Sequence, residues 1–228
     1  MKKIAVNSFF IILLSSLLFS KNLTLHDFDN PSASHILDSE IIDNILIVSG
    51  MLGGIEFYDI SNPEVLNHLT TLQLSSGGGG GQGGGGGTKP NCIVASGNYA
   101  YVTTNRGLGV INIANPSNPQ YLGIVPDTDN YILENLDVLN NILVVAAHED
   151  GVLIYDISNS SNPSYLTTID TENSWTVTLN GNILYVADEQ ILEMYSVGDD
   201  FSYLDSIEMS NAIKDIAINN NVLYIAIG

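Results

Sequence analysis

The sequence predicts an all-β protein made of four-stranded antiparallel β-propeller blades, about four full blades and a half blade in an incomplete ring. A turn that contains asparagine and leads into an apolar run recurs five times, and its asparagines are separated by 54, 43, 41 and 39 residues. Each unit of about 40 residues holds four short apolar segments divided by turn residues. No helical spacing of apolar residues persists in the body of the chain.

The strands of one unit follow from its turn chemistry. A first apolar segment, such as residues 136–139, leads into a Gly-Asn or Asn-Asn turn, whose residues tolerate the positive φ of a tight hairpin. The asparagine-led run is the second strand. A third strand, such as residues 151–157, ends in an Asp/Asn-Pro turn, and the fourth strand follows at residues 165–169. Radial stacking would bury both faces of every sheet, with an irregular β-solenoid or sandwich as the alternative.

The organisation of the chain follows from these units. Residues 1–20, with Lys2 and Lys3 before a short apolar run, are typical of a secretory signal peptide, and an uncleaved anchor is the alternative. Residues 21–36 form an N-terminal segment whose residues 23–28 are a candidate closing strand. The fifth unit ends after two strands, so we expect an incomplete ring and a fragment of a longer product. The predicted blades are 37–74, 90–126, 132–170, 174–208 and 212–228, with a flexible Gly-rich insertion at 75–89.

Three segments resemble a known repeat. Tyr58-Asp59-Ile60-Ser61-Asn62-Pro63, Tyr155-Asp156-Ile157-Ser158-Asn159 and Gly97-Asn98-Tyr99-Ala100-Tyr101-Val102 are similar to LVIVD repeats of exported bacterial and archaeal propellers. The resemblance covers roughly residues 37–228 and fades in the fourth unit, where Tyr195-Ser196-Val197-Gly198 replaces the usual turn. It implies a propeller fold and a periplasmic, cell-surface or secreted setting, but no common activity and no catalytic residues.

Charge and cysteine content exclude some functions. The chain has 25 acidic and 6 basic residues, a net charge of −19, and loses two of the basic residues with the predicted leader. Such a surface repels phosphate backbones, so nucleic acid is excluded as a partner. We expect membrane contact only through an uncleaved N-terminal segment. Cys92 is the single cysteine, lies in an apolar stretch and is expected to be a small buried hydrophobe.

Candidate ligand-binding residues lie on one face of the predicted propeller, where second-to-third-strand loops and inter-blade segments meet. His148 stands beside two carboxylates and could serve acid–base or metal chemistry, or simply belong to a polar loop. Arg106, the only arginine, could form a salt bridge or capture an anionic group. Trp175 is expected to pack against a neighbouring blade, with carbohydrate stacking as the alternative. The candidates are Arg106, His148, Glu149, Asp150, Trp175, Asp188 and Glu189.

One inter-blade segment hints at a cation site. Asp127 and Asp129 have the spacing of a calcium loop, and Glu134 could add a further oxygen. Tyr131, however, stands where another ligand would be needed. No other cofactor and no catalytic residue is predicted.

These observations favour an exported, non-catalytic interaction or scaffold module that binds a protein or a glycan through its face loops. One alternative is a hydrolase- or lyase-type propeller enzyme with a site at the channel mouth, since such sites leave little sequence signature. Another is a cation-stabilised structural surface protein.

Overall fold

The structure, a computed structural model, describes residues 35–50, 54–62, 64–74, 88–198, 200–220 and 222–228. The predicted signal peptide, the candidate closing strand at residues 23–28 and the glycine tract lie outside the described residues. The described ranges contain strands and turns only, and no helix in them is long and apolar enough to cross a membrane.

The strands form four four-stranded antiparallel sheets and one two-stranded sheet, each with strands in sequential order. The first sheet contains β1 (Ile36–Ile42), β2 (Ile45–Gly50), β3 (Gly54–Asp59) and β4 (Asn67–Leu72). The second contains β5 (Pro90–Ser96), β6 (Tyr99–Thr104), β7 (Gly107–Asn112) and β8 (Gln120–Ile124). The third contains β9 (Leu136–Leu139), β10 (Ile142–Ala146), β11 (Val152–Asp156) and β12 (Ser164–Ile169). The fourth contains β13 (Ser174–Asn180), β14 (Ile183–Asp188), β15 (Ile191–Ser196) and β16 (Tyr203–Glu208), and the fifth β17 (Ile213–Asn219) and β18 (Val222–Ile227).

Local turn chemistry sets the strand ends. The turn between first and second strands has one residue with positive φ in every blade, as its Asn and Gly content predicts. In the following turn, Asp59 Oδ1 accepts the Ser61 amide at 2.8 Å and Asp156 Oδ1 accepts the Ser158 amide at 2.7 Å. The positive-φ residues are Asp43 (53°), Gly97 (57°), Asn140 (55°), Gly181 (58°) and Asn220 (48°).

The second strands build the cores between blades. Residues at odd positions after the turn asparagine face the next blade, and residues at even positions face the previous one. Tyr101 of β6 therefore packs with Leu143 and Val145 of β10, and all three side chains are 0% exposed. Val144, on the other face of β10, packs with Leu184 of β14. The second, third and fourth sheets thus bury both faces against their neighbours, which is the packing of propeller blades, whereas Val222 and Tyr224 on the outward face of the fifth sheet stay exposed.

The first strands of successive blades are neighbours, since β1 contacts β5, β5 contacts β9, β9 contacts β13 and β13 contacts β17. At two of these junctions, a side-chain oxygen of one blade accepts a hydrogen bond from a backbone amide of the next blade. Asp137 Oδ2 accepts the Leu179 amide at 2.7 Å across the third and fourth blades. First strands therefore lie innermost, as in a propeller. The predicted fold class, an incomplete propeller of four full blades and a half blade, is confirmed.

Candidate functional site

One repeat position brings a side chain from every blade to the same end of the first strands. It lies seven residues before the turn asparagine. In four blades it coincides with a register shift in the pairing of first and second strands, between residues 36 and 38, 90 and 93, 174 and 176, and 213 and 215. A bulge re-aims a side chain that regular pairing would commit to one face of the sheet. We call these five the mouth residues: Leu37, Asn91, Glu134, Trp175 and Lys214.

Polar contacts run from Asn91 through Glu134 and His148 to the fourth blade. Asn91 Nδ2 donates to Glu134 Oε2 at 2.7 Å, which joins the second blade to the third. The other carboxylate oxygen of Glu134 lies 3.8 Å from His148 Nε2. His148 Nδ1 in turn lies 3.2 Å from Asn173 Oδ1 of the following blade. The separation of 3.8 Å is too long for a hydrogen bond, and the contact is an ion pair only when the imidazole is protonated.

Trp175 continues this row into the fourth and fifth blades. Its ring stands edge-on to His148 with centroids 4.6 Å apart and an interplanar angle of 76°. The ammonium nitrogen of Lys214 lies 5.9 Å from the Trp175 ring centroid, within the range of a cation–π contact. Trp175 keeps 40% of its surface exposed. It therefore contacts its neighbours and still remains open to a ligand, instead of being buried between blades.

Backbone bonds hold His148 and Glu189 in this arrangement. Both adopt left-handed conformations with φ of 53°, which non-glycine residues seldom occupy. His148 exchanges backbone hydrogen bonds with Ser174, and the Glu189 carbonyl accepts the Ile213 amide at 2.7 Å. Each loop is thus fastened to the first strand of the next blade, and the mouth side chains rest on a fixed backbone.

The other predicted site residues divide into supporting and exposed groups. Asp188 is 4% exposed, and its two oxygens accept the amides of Glu172 at 3.0 Å and Asn173 at 2.6 Å. It therefore orders the loop before Trp175 and is not presented to solvent. Glu149, Asp150 and Arg106 are exposed on the same face. The guanidinium of Arg106 lies close enough to Tyr121 to oppose the rise in pKa that burial causes there.

The candidate calcium ligands are not assembled into one group. Asp127 and Asp129 are exposed in the inter-blade loop, where Asp129 Oδ1 lies 3.4 Å from Asn130 Nδ2. Glu134 is engaged with Asn91 and His148 instead. In the part of the chain that the structure describes, no cluster of three or more His, Cys, Asp or Glu side chains could hold a metal ion.

A cavity of about 470 Å³ opens beside two of the mouth residues. Its walls come from β1, from the start of β5, from the loop after β6 and from the inter-blade loop 126–135. Ile132 of that loop is 70% exposed. The lining residues are Leu37, Lys89, Pro90, Asn91, Thr104, Asn105, Tyr131, Ile132 and Leu133.

The face around the mouth is acidic. Its described loops and inter-blade segments, residues 88–92, 104–107, 126–135, 147–151, 170–175, 188–190 and 209–214, carry nine Asp or Glu residues against Lys89, Arg106 and Lys214. Such a surface attracts cations and cationic partners over distances up to about the Debye length, roughly 8–10 Å at moderate salt.

Sequence reasoning missed Leu37, Asn91 and Lys214, which complete the mouth. It identified Trp175 and Glu134 for separate reasons, without recognising that they occupy one repeat position. Counting seven residues back from each turn asparagine would have found all five. Whether that position points to the mouth, however, depends on a bulge that the sequence pattern does not reveal.

The family model of the LVIVD repeat matches residues 89–127 and 134–171, which contain the second and third blades. No curated protein matches the chain.

Solved structures with the same fold have low sequence identity to the chain. The computationally designed Ika8 protein superposes with a TM-score of 0.64 at 16% identity, over 85% of this chain and 56% of that one. A functionally unknown protein from Desulfotomaculum acetoxidans DSM 771 gives 0.64 at 15% identity, over 80% and 59%. The designed Ika4 protein gives 0.56 at 15% identity, over 78% and 99%. The chain spans little more than half the length of the first two, and at these identities the likeness shows the fold alone.

Proposed function

The chain carries LVIVD repeats folded as β-propeller blades, and from this premise we propose that it is an exported, non-catalytic interaction module. It binds a protein or a glycan through the mouth residues and the loops around them. Folds of this kind host many functions, so the proposal depends on the site and not on the fold.

The observation that carries the proposal is the continuous row from Asn91 through Glu134, His148 and Trp175 to Lys214. Four blades contribute to it, and its side chains differ from blade to blade while the cores beneath them repeat. Fixed loops of variable sequence on a rigid scaffold are the usual way in which proteins present a binding surface. A partly exposed tryptophan between a histidine and a lysine offers both an apolar surface and hydrogen-bonding groups.

Two features support recognition over catalysis. Glu134 and His148 are each hydrogen-bonded to an amide side chain, which fixes them as positioned polar groups. The Cys92 thiol, the chain's only thiol, has its pKa raised to about 12, first by burial and then by neighbouring carboxylates. A thiol with so high a pKa is a poor nucleophile at neutral pH.

The test uses Trp175, the only tryptophan in the chain, as an internal reporter. Fluorescence of the full chain is followed against a panel of oligosaccharides and peptides. A ligand at the mouth should change the emission of Trp175 in a saturable manner. His148→Asn and Lys214→Gln should weaken that ligand about tenfold, or roughly 1.4 kcal/mol, and asparagine keeps the left-handed backbone at position 148 accessible.

Tyr203→Ala is the matched control, since Tyr203 is an exposed aromatic residue on the outer strand β16. Its replacement should leave the affinity unchanged. An affinity that is unchanged in both His148→Asn and Lys214→Gln would contradict the proposal. Turnover of a substrate that is lost in His148→Asn would contradict it as well.

A further inference from the structure

The cavity beside loop 126–135 combines an apolar lining with an acidic surround. Ile132, at 70%, is the most exposed large apolar side chain among the described residues, and it lies at the cavity with Leu37, Pro90 and Leu133. A solitary exposed apolar residue on a surface is ordinary, but one that continues into an apolar cavity is typical of a binding site.

We propose that this cavity takes an apolar side chain from a basic segment of a protein partner. The inference rests on the proposed binding function and assigns its partner class. The cavity volume of about 470 Å³ lies within the usual range of ligand pockets. Apolar anchors that fill such pockets carry most of the energy in many protein–protein interfaces.

The cavity is pre-formed by hydrogen bonds in its walls. The Lys89 amide donates to Asn105 Oδ1 at 2.7 Å, and the Asn105 amide donates to the Lys89 carbonyl at 3.2 Å. On the same wall, Thr104 Oγ1 donates to the Gly107 carbonyl at 2.7 Å. A wall held in this way needs little ordering when a ligand enters, which favours affinity.

The negative charge around the cavity favours a positively charged partner. Loop 126–135, which contains the exposed Ile132, also carries Asp127, Asp129 and Glu134. The mouth face as a whole has three times as many acidic as basic groups. Complementary charge accelerates association and rejects partners of the same sign, so a basic segment is favoured over an acidic one. Lys89, at the rim of the cavity, opposes such a segment.

The experiment compares three hexapeptides, acetylated and amidated at their ends, by titration calorimetry with the full chain. The first is Lys-Lys-Leu-Leu-Lys-Lys, the second replaces the leucines with serine, and the third replaces the lysines with glutamate. We expect saturable binding of the first peptide, binding at least tenfold weaker for the other two, and a loss of affinity when salt is raised.

Three variants locate the site. Ile132→Ser should weaken the first peptide about tenfold without lowering the melting temperature, because the side chain is largely exposed. Lys89→Glu should strengthen that peptide several-fold, because it reverses the opposing charge at the rim. Leu122→Ser, at a 47% exposed position on β8, is the matched control and should change nothing.

Equal affinities for the leucine and serine peptides would contradict the claim that an apolar side chain fills the cavity. Tight binding of the glutamate peptide, or an unchanged affinity in Ile132→Ser, would overturn the proposal as well. An oligosaccharide that changes Trp175 emission while no peptide binds would reject the basic partner and leave the binding module intact. If no ligand of any class binds the full chain, whether followed by calorimetry or by Trp175 emission, the proposed function itself fails.

Discussion

Asp38 and Asn135 occupy the same repeat position and form the same bond in different blades. Asp38 Oδ2 accepts the Ile93 amide at 2.9 Å, and Asn135 Oδ1 accepts the Val177 amide at 3.1 Å. The position lies six residues before the turn asparagine, and its oxygen reaches the first strand of the next blade. A carboxylate and an amide therefore link two junctions in the same way, but only the carboxylate can carry a charge.

This difference predicts that the protein becomes less stable as the pH rises through the weakly acidic range. Burial raises the pKa of Asp38 to about 6, and burial together with Asp38 raises the pKa of Glu40 to about 7. In the unfolded chain both groups titrate near pH 4. The folded chain therefore holds more protons between about pH 4 and pH 7, so the free energy of unfolding falls across that interval and levels off above it.

At roughly 1.4 kcal/mol per pKa unit, each group contributes about 3 kcal/mol, so the fall from both should be on the order of 6 kcal/mol. Urea unfolding at a series of pH values measures it directly. A free energy of unfolding that rises from pH 5 to pH 8 would contradict the assignment.

Asp38→Asn should remove much of this dependence. Asparagine keeps an oxygen for the Ile93 amide, as Asn135 shows at the equivalent junction, and it removes the buried charge. We expect a melting temperature about 5 °C higher at pH 8 and little change at pH 5. Asn135→Asp is the reciprocal variant and should introduce a new loss of stability above neutral pH. Destabilisation of Asp38→Asn at pH 8 would show that the carboxylate is favourable as a charge.

Gly151→Ala should be severely destabilising, whereas Gly181→Ala should not. Gly151 has a φ of 78°, and a Cβ there would collide with the Ile169 carbonyl oxygen. Gly181 has a φ of 58°, and a methyl group added there would meet nothing within 4 Å. We expect a loss of at least about 3 kcal/mol for the first and about 1 kcal/mol for the second, measured by chemical denaturation. Similar losses at both sites would mean that φ alone decides the cost.

Cys92 should react very slowly with thiol reagents in the folded chain. A pKa of about 12 leaves on the order of a thousandfold less thiolate at pH 8 than an ordinary cysteine has. Labelling should become rapid in denaturant, and its rate in buffer then reports local opening near β5. Fast labelling of the folded chain would show that Cys92 is accessible and ionised.

Local chemistry explains why so much of the fold could be predicted. The positive φ of Asn140 and Asn220 follows from side chains that tolerate it, and the repeat of these turns fixes the period of the blades. The apolar runs after the turns predicted the inter-blade cores, because each run is a second strand with apolar side chains on both faces.

The mouth was less accessible to sequence reasoning because it depends on pairing between strands. A shift in register between β13 and β14 directs Trp175 outwards, and no local sequence pattern predicts that shift. The sequence suggested Asp188 as a ligand-binding acid, but both of its carboxylate oxygens accept backbone amides from the preceding inter-blade segment. In both cases the partner lies more than ten residues away in the chain.

The position seven residues before each turn asparagine, which is bulged in four of the five blades, lies apart from the cores that stabilise the sheets. Its side chain belongs to none of the inter-blade cores of the described residues, so its replacement leaves those cores intact. Each blade therefore supplies to a shared rim one side chain that lies outside the cores. Under the proposed function, single substitutions at positions 37, 91, 134, 175 and 214 would change the binding surface while the supporting sheets stay as they are.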